Sequence, residues 1–202
     1  MDELNQKKIV VAITGASGSI YGVRLARALT SLPVRVFLAV SPSGRQVMAY
    51  ETGYESGSFE MFLRESGVIF HKGAKIDEIQ PDDFSALIAS GSFRHDGMVI
   101  APCSMNTLAA IANGITGNII HRAADVCLKE RRPLVLLPRE TPFSLIHLKN
   151  MVRAAEAGAV IMPPSPGFYT RPATIDDLVD GIVARILDHL GFAHDLSPRW
   201  EG

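Results

Sequence analysis

The 202-residue sequence predicts an α/β fold, in which a doubly wound, mostly parallel sheet of about five strands carries helices on both faces. Apolar runs without polar alternation recur along the chain, which is typical of parallel strands covered on both sides. Segments with helical spacing of apolar residues separate these runs. Hydrophobic residues make up 47% of the chain, which is enough for one domain, 1–202, with a substantial core.

The first predicted unit is a strand, a glycine-rich turn and a helix. The strand is Lys8–Thr14, the turn covers 15–22, and the helix continues to about Leu32. Backbone N–H groups at the start of such a helix face an anion, as in phosphate-binding turns. The glycine spacing fits neither GxGxxG nor GxxxxGK[ST], so it gives little support for a dinucleotide or a nucleoside triphosphate.

The second predicted strand, Val34–Val40, ends at Ser41. A site for NAD would place an acidic residue here to bind the ribose hydroxyls. A serine can instead donate a hydrogen bond to a phosphate, which favours a mononucleotide such as FMN. The alternative is that Ser41 only caps the following helix.

The middle of the chain gives one clear strand and one polar loop. Between Glu51 and Gln80 the pattern is weak, and it predicts a helix at Phe59–Leu63 and a short strand at Val68–Phe70. Gly97–Ala101 is a buried strand that leads into the polar loop 104–107. The side chains of this loop either cap the next helix or bind the polar edge of a ring.

The helix predicted after Asn118 carries three charges on one face. Arg122, Asp125 and Lys129 have the spacing i, i+3 and i+7, which brings them to the same side. They form part of a site, or they form a solvated face on which Asp125 bridges the two cations.

A second pair of charges follows the buried strand Leu134–Leu137. Arg139 and Glu140 come directly after this strand, at its carboxyl end. Ligands of open α/β sheets bind at that edge, so this pair is a candidate for the site. The alternative is an ordinary polar turn.

The remaining elements are predicted from proline, glycine and threonine signals. Pro142 opens a helix to about Ala157, and Val160–Met162 is a short last strand. A proline-rich loop, 163–169, leads to a final helix, 175–190, and to a tail, 191–202.

The final helix begins with a DDxxD sequence, 176–180, which resembles the magnesium–pyrophosphate motif of all-helical isoprenoid synthases. Thr174 and Asp177 have the spacing of a capping box, and Asp176 lies in the first turn, where the helix dipole favours carboxylates. We interpret the motif as a helix cap.

Composition and charge exclude several functions. The 20 basic and 21 acidic residues nearly cancel, so no strong field of one sign indicates nucleic acid or a membrane surface. The two cysteines, Cys103 and Cys127, are too far apart for a zinc knuckle, and the six histidines form no HxxxH pair, so no metal is expected. The N-terminus lacks the apolar region of a signal peptide, which predicts a cytoplasmic protein.

Four segments together resemble the UbiX-type flavin prenyltransferases. They are TGASGSIYG (14–22), PCSMNTLAAIANG (102–114), RAADVCLKERRPLVLLPRETPFSLIHLKNM (122–151) and PPSPGFY (163–169). The resemblance extends over nearly the whole chain and fits a Rossmann- or flavodoxin-like sheet. It implies metal-free transfer of a dimethylallyl group from dimethylallyl monophosphate to N5 and C6 of reduced FMN. It also implies a homododecamer with active sites between subunits, whose product serves UbiD-type decarboxylases.

The resemblance also assigns roles by position. FMN is expected at Gly15, Ala16, Ser17, Ser41, Ser104, Met105, Asn106, Thr107 and Arg139. The substrate phosphate is expected at Lys129, Glu140, Tyr169 and Arg185. Catalytic roles are expected for Ser17, Glu51, Arg122, Lys129, Glu140 and Trp200. Arg185 has a structural alternative, an ion pair with Asp188, and the tail around Trp200 either covers the site or makes a subunit contact.

Two other functions remain open at this point. A flavin-dependent cysteine decarboxylase of the related fold has a PASANT-like loop and a catalytic histidine, whereas this chain has PCSMNT at 102–107 and retains Lys129, Arg139 and Glu140. A non-catalytic FMN carrier has no need of a second anion site.

Overall fold

The computed structural model describes residues 6–54 and 57–199, and its centre is a six-stranded sheet in the order β3-β2-β1-β4-β5-β6. All neighbouring strands are parallel, so the predicted doubly wound sheet is confirmed, with six strands instead of about five. The strands are β1 (Lys7–Ile13), β2 (Val34–Val40), β3 (Lys75–Ile79), β4 (Gly97–Cys103), β5 (Leu134–Pro138) and β6 (Val160–Ile161).

Helices connect the strands, and most of them begin at a capping side chain. Ser41, Ser58, Ser104, Asn118, Ser144 and Thr174 each accept a hydrogen bond from a backbone N–H in the first helical turn. The helices are α1 (Ser19–Thr30), α2 (Pro42–Thr52), α3 (Phe59–Glu65), α4 (Met105–Ala112), α5 (Ile119–Lys129), α6 (Leu145–Glu156) and α7 (Ile175–His189). A short 3₁₀ turn occupies Leu87–Ala89.

The core lies on both faces of the sheet. Ile9, Val11 and Ile13 of β1 pack into one apolar cluster, and Val10 and Ala12 of the same strand pack into the other. All five are completely buried, which is why β1 reads as a continuous apolar run and not as an alternating one.

The strand predicted at Val68–Phe70 is wrong. This segment is a loop in which the Val68 N–H donates to the Leu63 carbonyl at the end of α3. The strand instead forms at Lys75–Ile79, where it pairs with β2 at one edge of the sheet that the described residues form. As an edge strand it needs few buried side chains, so its charged sequence KIDEI gave no apolar signal.

The predicted start of α6 at Pro142 is wrong by three residues. Ser144 caps the helix, and its hydroxyl and the His147 ring form a reciprocal capping box. The Thr174–Asp177 box at α7 is confirmed, which supports the interpretation of the DDxxD sequence as a cap. None of the helices in the described ranges is long and apolar enough to cross a membrane.

The sheet order reverses between β1 and β4, and the helices that follow these two strands, α1 and α4, pack into the core clusters on opposite faces of the sheet. In sheets of this kind ligands bind in the crevice at that reversal, outside the carboxyl ends of the strands. Thr14 joins the two loops, since its hydroxyl donates to the Pro102 carbonyl at 2.8 Å and accepts from the Ser104 N–H at 2.8 Å. The fold therefore fixes the floor of a crevice at this point.

Candidate active site

The glycine-rich turn after β1 binds a carboxylate of the same chain, that of Glu51. Gly18 begins α1 with a φ of 104°, and it has no side chain to cap the helix. Both oxygens of Glu51 accept from the Gly18 N–H, at 3.1 and 2.9 Å, and one oxygen also accepts from the Ser19 N–H at 2.8 Å. The Gly18 and Ser19 N–H groups, at the helix start where the sequence indicates a phosphate, thus bind the Glu51 carboxylate in this structure.

Glu51 comes from the last turn of α2, where the helix dipole disfavours a carboxylate. Partial burial alone would raise the pKa of Glu51. Hydrogen bonds from the Ser17 hydroxyl and from the backbone of Ser19 and Gly18 outweigh burial and hold this pKa below its ordinary value. The carboxylate is therefore ionised at neutral pH and ties α2 to the start of α1.

Ser17 lies between this carboxylate and a cation. Its hydroxyl is bonded to Glu51, and its carbonyl accepts from Nε of Arg139 at 3.0 Å. Arg139 follows β5, and its own N–H donates to the Cys103 carbonyl at the end of β4. The ends of β1, β4 and β5 are thereby joined around Ser17, which is exposed toward the crevice side of the sheet.

The turn after β1 forms one wall of the crevice, and Ser41, after β2, forms a second wall. It is buried, its N–H donates to the Ile13 carbonyl at 3.0 Å, and its hydroxyl accepts from the Gly44 N–H at 3.0 Å. The capping alternative is thus observed. The hydroxyl keeps its own hydrogen for a further acceptor, which Ser43 Oγ, 3.3 Å away, or a ligand can fill.

Close approach of α2 to β1 depends on glycine. A Cβ at Gly15 would lie 2.6 Å from the Cβ of Ser43, and a Cβ at Gly44 would lie 2.5 Å from the Ile13 carbonyl oxygen. Any larger residue at either position would push the start of α2 away from the end of β1. Ala16 lies in the same turn, where its N–H donates to the Thr14 carbonyl at 2.8 Å.

The loop after β4 forms the third wall. Ser104 caps α4, because its hydroxyl accepts from the Thr107 N–H at 3.3 Å and donates to the Thr107 hydroxyl at 3.0 Å. Thr107 is buried, Met105 is half-buried and Asn106 is exposed. The predicted cap is confirmed, and Asn106 is the member of this loop that presents a polar side chain outward.

A separate pocket of about 550 Å³ lies beside α7. Tyr169 and Arg185, two of the predicted phosphate-binding residues, line it, together with the tail residues His194 and Arg199. Arg185 donates to Asp188 at 3.1 Å, so the ion pair considered as its alternative is present. The Arg185 side chain is nevertheless 61% exposed, which leaves most of its guanidinium accessible.

Neither cysteine is a candidate nucleophile. Burial raises the pKa of Cys127 to about 12, and it raises the pKa of the wholly buried Cys103 further. Within residues 6–54 and 57–199, histidine, cysteine, aspartate and glutamate form no group of three suited to a metal ion.

Comparison with known proteins identifies the family. The Flavoprotein family profile matches residues 1–187. The curated flavin prenyltransferase UbiX of Methanothermobacter thermautotrophicus is 47% identical over 196 residues, which cover 97% of this chain and 96% of the relative. The chain belongs to the UbiX flavin prenyltransferase family.

Solved structures of UbiX proteins agree with this membership. One UbiX protein in complex with FMN and dimethylallyl pyrophosphate is 42% identical, with a TM-score of 0.88 and coverage of 98% of this chain and 99% of that one. A dodecameric protein from Escherichia coli O157:H7, described as an FMN-dependent UbiX-like decarboxylase, is also 42% identical, with a TM-score of 0.86 and coverage of 96% and 100%.

Lys129, one of the residues that the UbiX resemblance singled out, lies away from the crevice. Lys129 ends α5, next to the amino end of β5; it pairs with Glu130 and lies beside Gly91. Glu140 lies two residues beyond the opposite end of β5. One chain therefore holds Lys129 and Glu140 at opposite ends of β5, and their shared role at the substrate phosphate stays a prediction. Residue spacing predicts which residues share a face of α5. It does not predict which end of the neighbouring strands each of these residues lies beside.

Arg122 also makes local contacts. Its Nε donates to the Ala89 carbonyl at 3.0 Å, and its Nη1 pairs with Asp125 at 2.7 Å. The predicted bridge from Asp125 to both cations is half right. Asp125 pairs with Arg122, whereas Lys129 pairs with Glu130. The predicted role of Trp200 lies outside the described residues.

Several residues of the crevice and of the pocket beside α7 gave no signal in the sequence. Thr14 reads as the last residue of a strand, and its bridging hydroxyl depends on the position of β4. His194 and Arg199 converge on Asp188 from an irregular tail, for which no periodicity is available. Only the spacing of Arg185 and Asp188 pointed to this cluster.

Proposed function

We propose that this chain transfers the dimethylallyl group of dimethylallyl monophosphate to N5 and C6 of reduced FMN, without a metal ion, and so makes prenylated FMN for UbiD-type decarboxylases. The observation that carries the proposal is the presence of two separate polar regions. One is the crevice around Ser17, Ser41 and Arg139, and the other is the pocket with Tyr169 and Arg185. A flavin carrier or a decarboxylase needs no prenyl-phosphate pocket in addition to its flavin site.

The crevice has the donors that FMN requires. Ser41 offers a hydroxyl hydrogen at a buried helix start, Asn106 offers an exposed amide, and Arg139 offers a guanidinium fixed through Ser17. Glycine at position 15 keeps the start of α2, and with it Ser41, close to the end of β1, because a Cβ there would meet Ser43. The bound flavin supplies the nucleophilic ring atoms. We propose that Gly15, Ala16, Ser17, Ser104, Met105 and Thr107 complete this wall.

The pocket beside α7 suits a leaving phosphate. Breakage of the allylic C–O bond transfers an electron pair to the phosphate oxygen, so negative charge develops there. The Arg185 guanidinium can bind two phosphate oxygens at once, and Tyr169 adds a neutral donor. Preorganised cations at such a point stabilise the transition state more than the ground state, which removes the need for magnesium.

Two groups are placed to hold or move protons. Glu140 is exposed directly after β5, and we assign it proton transfer at the leaving phosphate oxygen. The Ser17 hydroxyl, which donates to Glu51, relays a proton between that carboxylate and the flavin side of the crevice. Glu51 thus has a structural role at α1 and a proposed catalytic role through Ser17.

We propose that Lys129 and Arg122 act in the site of a neighbouring subunit, since within one chain Lys129 lies at the other sheet edge from Glu140. An exposed apolar face on α6 supports association of copies of the chain. Its residues are Leu145, Ile146, Leu148 and Val152, which are 46–70% exposed. The dodecamer of the Escherichia coli relative is the assembly we expect. The single domain 1–202 then keeps its tail, 191–202 with Trp200, over a site or against a neighbour.

The first experiment mixes the purified protein, reduced FMN and dimethylallyl monophosphate without oxygen and with a chelator. Mass spectrometry of the flavin should show the gain of one five-carbon unit. An unchanged flavin despite tight FMN binding would contradict the proposal and favour a carrier or a cysteine decarboxylase, which a cysteinyl-peptide assay would separate.

A subunit-mixing experiment tests the shared site. Lys129→Ala and Glu140→Gln each remove one half of it, so each variant alone should be inactive. Assemblies that contain both variants should regain activity, because some sites then combine an intact Lys129 with an intact Glu140. No recovery in verified mixed assemblies would refute a site that Lys129 of one chain and Glu140 of another form together.

A further inference from the structure

The tail after α7 is held by one carboxylate that binds three side chains. Asp188 Oδ1 accepts from Nη2 of Arg199 at 2.8 Å and from Nε2 of His194 at 3.2 Å, while Oδ2 accepts from Arg185 at 3.1 Å. We call these four residues the Asp188 cluster. Two arginines, Arg185 from the helix and Arg199 from the tail, thus bind the same carboxylate.

His194 acts as the fixed point of the tail. Its side chain is only 7% exposed, and its Nδ1 accepts from the Leu196 N–H, so the ring hydrogen lies on Nε2 and is donated to Asp188. The tail also passes beside Gly181 on α7, since Ser197 Oγ lies 4.0 Å from the position that a Cβ would take there, an ordinary van der Waals distance. The tail is therefore anchored along α7, and the position of Arg199 follows from this anchoring.

Arg199 faces the same pocket as Arg185 and Tyr169. Its side chain is 62% exposed, and the bond to Asp188 engages one nitrogen of a group that has five N–H donors. Burial tends to raise the pKa of Asp188, but hydrogen bonds from Arg199 and His194 keep it below the ordinary value. The two arginines outnumber the one carboxylate of the cluster, which leaves a net attraction for an anion.

We propose that Arg199 is a second phosphate-binding guanidinium, which the tail brings to the prenyl-phosphate pocket, and that Asp188 and His194 are its positioning residues. This inference rests on the proposed function for the identity of the ligand, although phosphate binding itself does not depend on prenyl transfer. Arg185 from α7 and Arg199 from the tail would bind the phosphate from two sides. Capture of the substrate would then depend on the tail being in place.

The test compares Arg199→Ala and Arg199→Lys with the parent protein by titration calorimetry, using dimethylallyl monophosphate, inorganic phosphate and FMN as separate ligands. Arg199→Ala should weaken binding of both phosphates by about tenfold and leave FMN binding unchanged. Arg199→Lys should recover part of the loss, since it keeps the charge but not the planar fork. The control is Arg64→Ala, which removes an exposed arginine that pairs with Glu60 on α3.

A structural role for the arginine predicts a different result. If Arg199→Ala changes the binding of both phosphates by less than about twofold, or weakens FMN and phosphate equally, the proposal is overturned. His194→Gln tests the positioning role, because it should raise KM for the prenyl phosphate more than it lowers kcat. The outcome is separable from the proposed function: a parent protein that binds phosphate through Arg199 but leaves FMN unmodified would refute prenyl transfer alone.

Discussion

Replacement of Glu51 by glutamine should lower stability in a pH-dependent way. The Glu51 carboxylate accepts from the Gly18 and Ser19 N–H groups at 2.8–3.1 Å and from the Ser17 hydroxyl. Glutamine keeps one acceptor oxygen but loses the charge and brings an NH₂ group to face backbone donors. Because the side chain is partly exposed, we expect a loss near that of a helix cap, about 1–2 kcal/mol at pH 7.

The pH dependence follows from the lowered pKa of Glu51. A carboxylate whose pKa is lower in the folded state stabilises the fold fully above its unfolded-state pKa of about 4.3. This contribution disappears as the pH falls through the lower, folded-state value. The difference between the parent protein and Glu51→Gln should therefore be constant from pH 7 to about pH 5 and then shrink.

Thermal unfolding at a fixed protein concentration measures this difference, since association also shifts the midpoint. A loss of about 1–2 kcal/mol corresponds to about 2–8 °C for a chain of this size. Glu60→Gln is the matched control: it removes a carboxylate that pairs with Arg64 at the surface, which contributes about 0.5 kcal/mol or less. Equal shifts for the two variants, or a Glu51→Gln shift that does not shrink as the pH falls below about 4.3, would refute the assigned capping role.

Three further predictions concern the ligands. Glu140→Gln should bind FMN normally but lose turnover, and unchanged turnover would remove this residue from the mechanism. Arg185→Ala should weaken capture of the prenyl phosphate by about 1.5 kcal/mol, the low end for a charged hydrogen bond because the side chain is largely exposed, and equal weakening of FMN in a titration would contradict the assignment. Gly15→Ala should lower FMN affinity by more than tenfold through its clash with Ser43, and Ser43→Gly in the same chain should restore part of it; failure of this rescue would place the effect elsewhere.

The sequence was most informative where one local pattern decides the structure. The continuous apolar runs located β1, β2, β4 and β5, and the threonine–aspartate spacing located the start of α7. The edge strand β3 was missed because an exposed edge needs little apolar content. The cytoplasmic location expected from the N-terminus stays a prediction.

The site was harder to predict because it depends on contacts between distant segments. The turn after β1 was recognised as an anion site. The sequence around Glu51 does not indicate, however, that this side chain at the end of α2 binds the N–H groups at the start of α1. Lys129 and Glu140 are only eleven positions apart in the chain, yet a strand separates them in space. Family resemblance supplied candidate residues for the site, and only the fold shows which of these candidates one chain brings close together.

The separation of Lys129 and Glu140 by β5 has a consequence for how the activity depends on concentration. The strand's five residues hold its two ends about 13 Å apart, and the interior of a sheet does not shorten. Hinge movement within one chain therefore cannot complete a site that needs both residues. Dilution that dissociates the assembly should abolish turnover while each chain stays folded, so the specific activity should rise with protein concentration until association is complete.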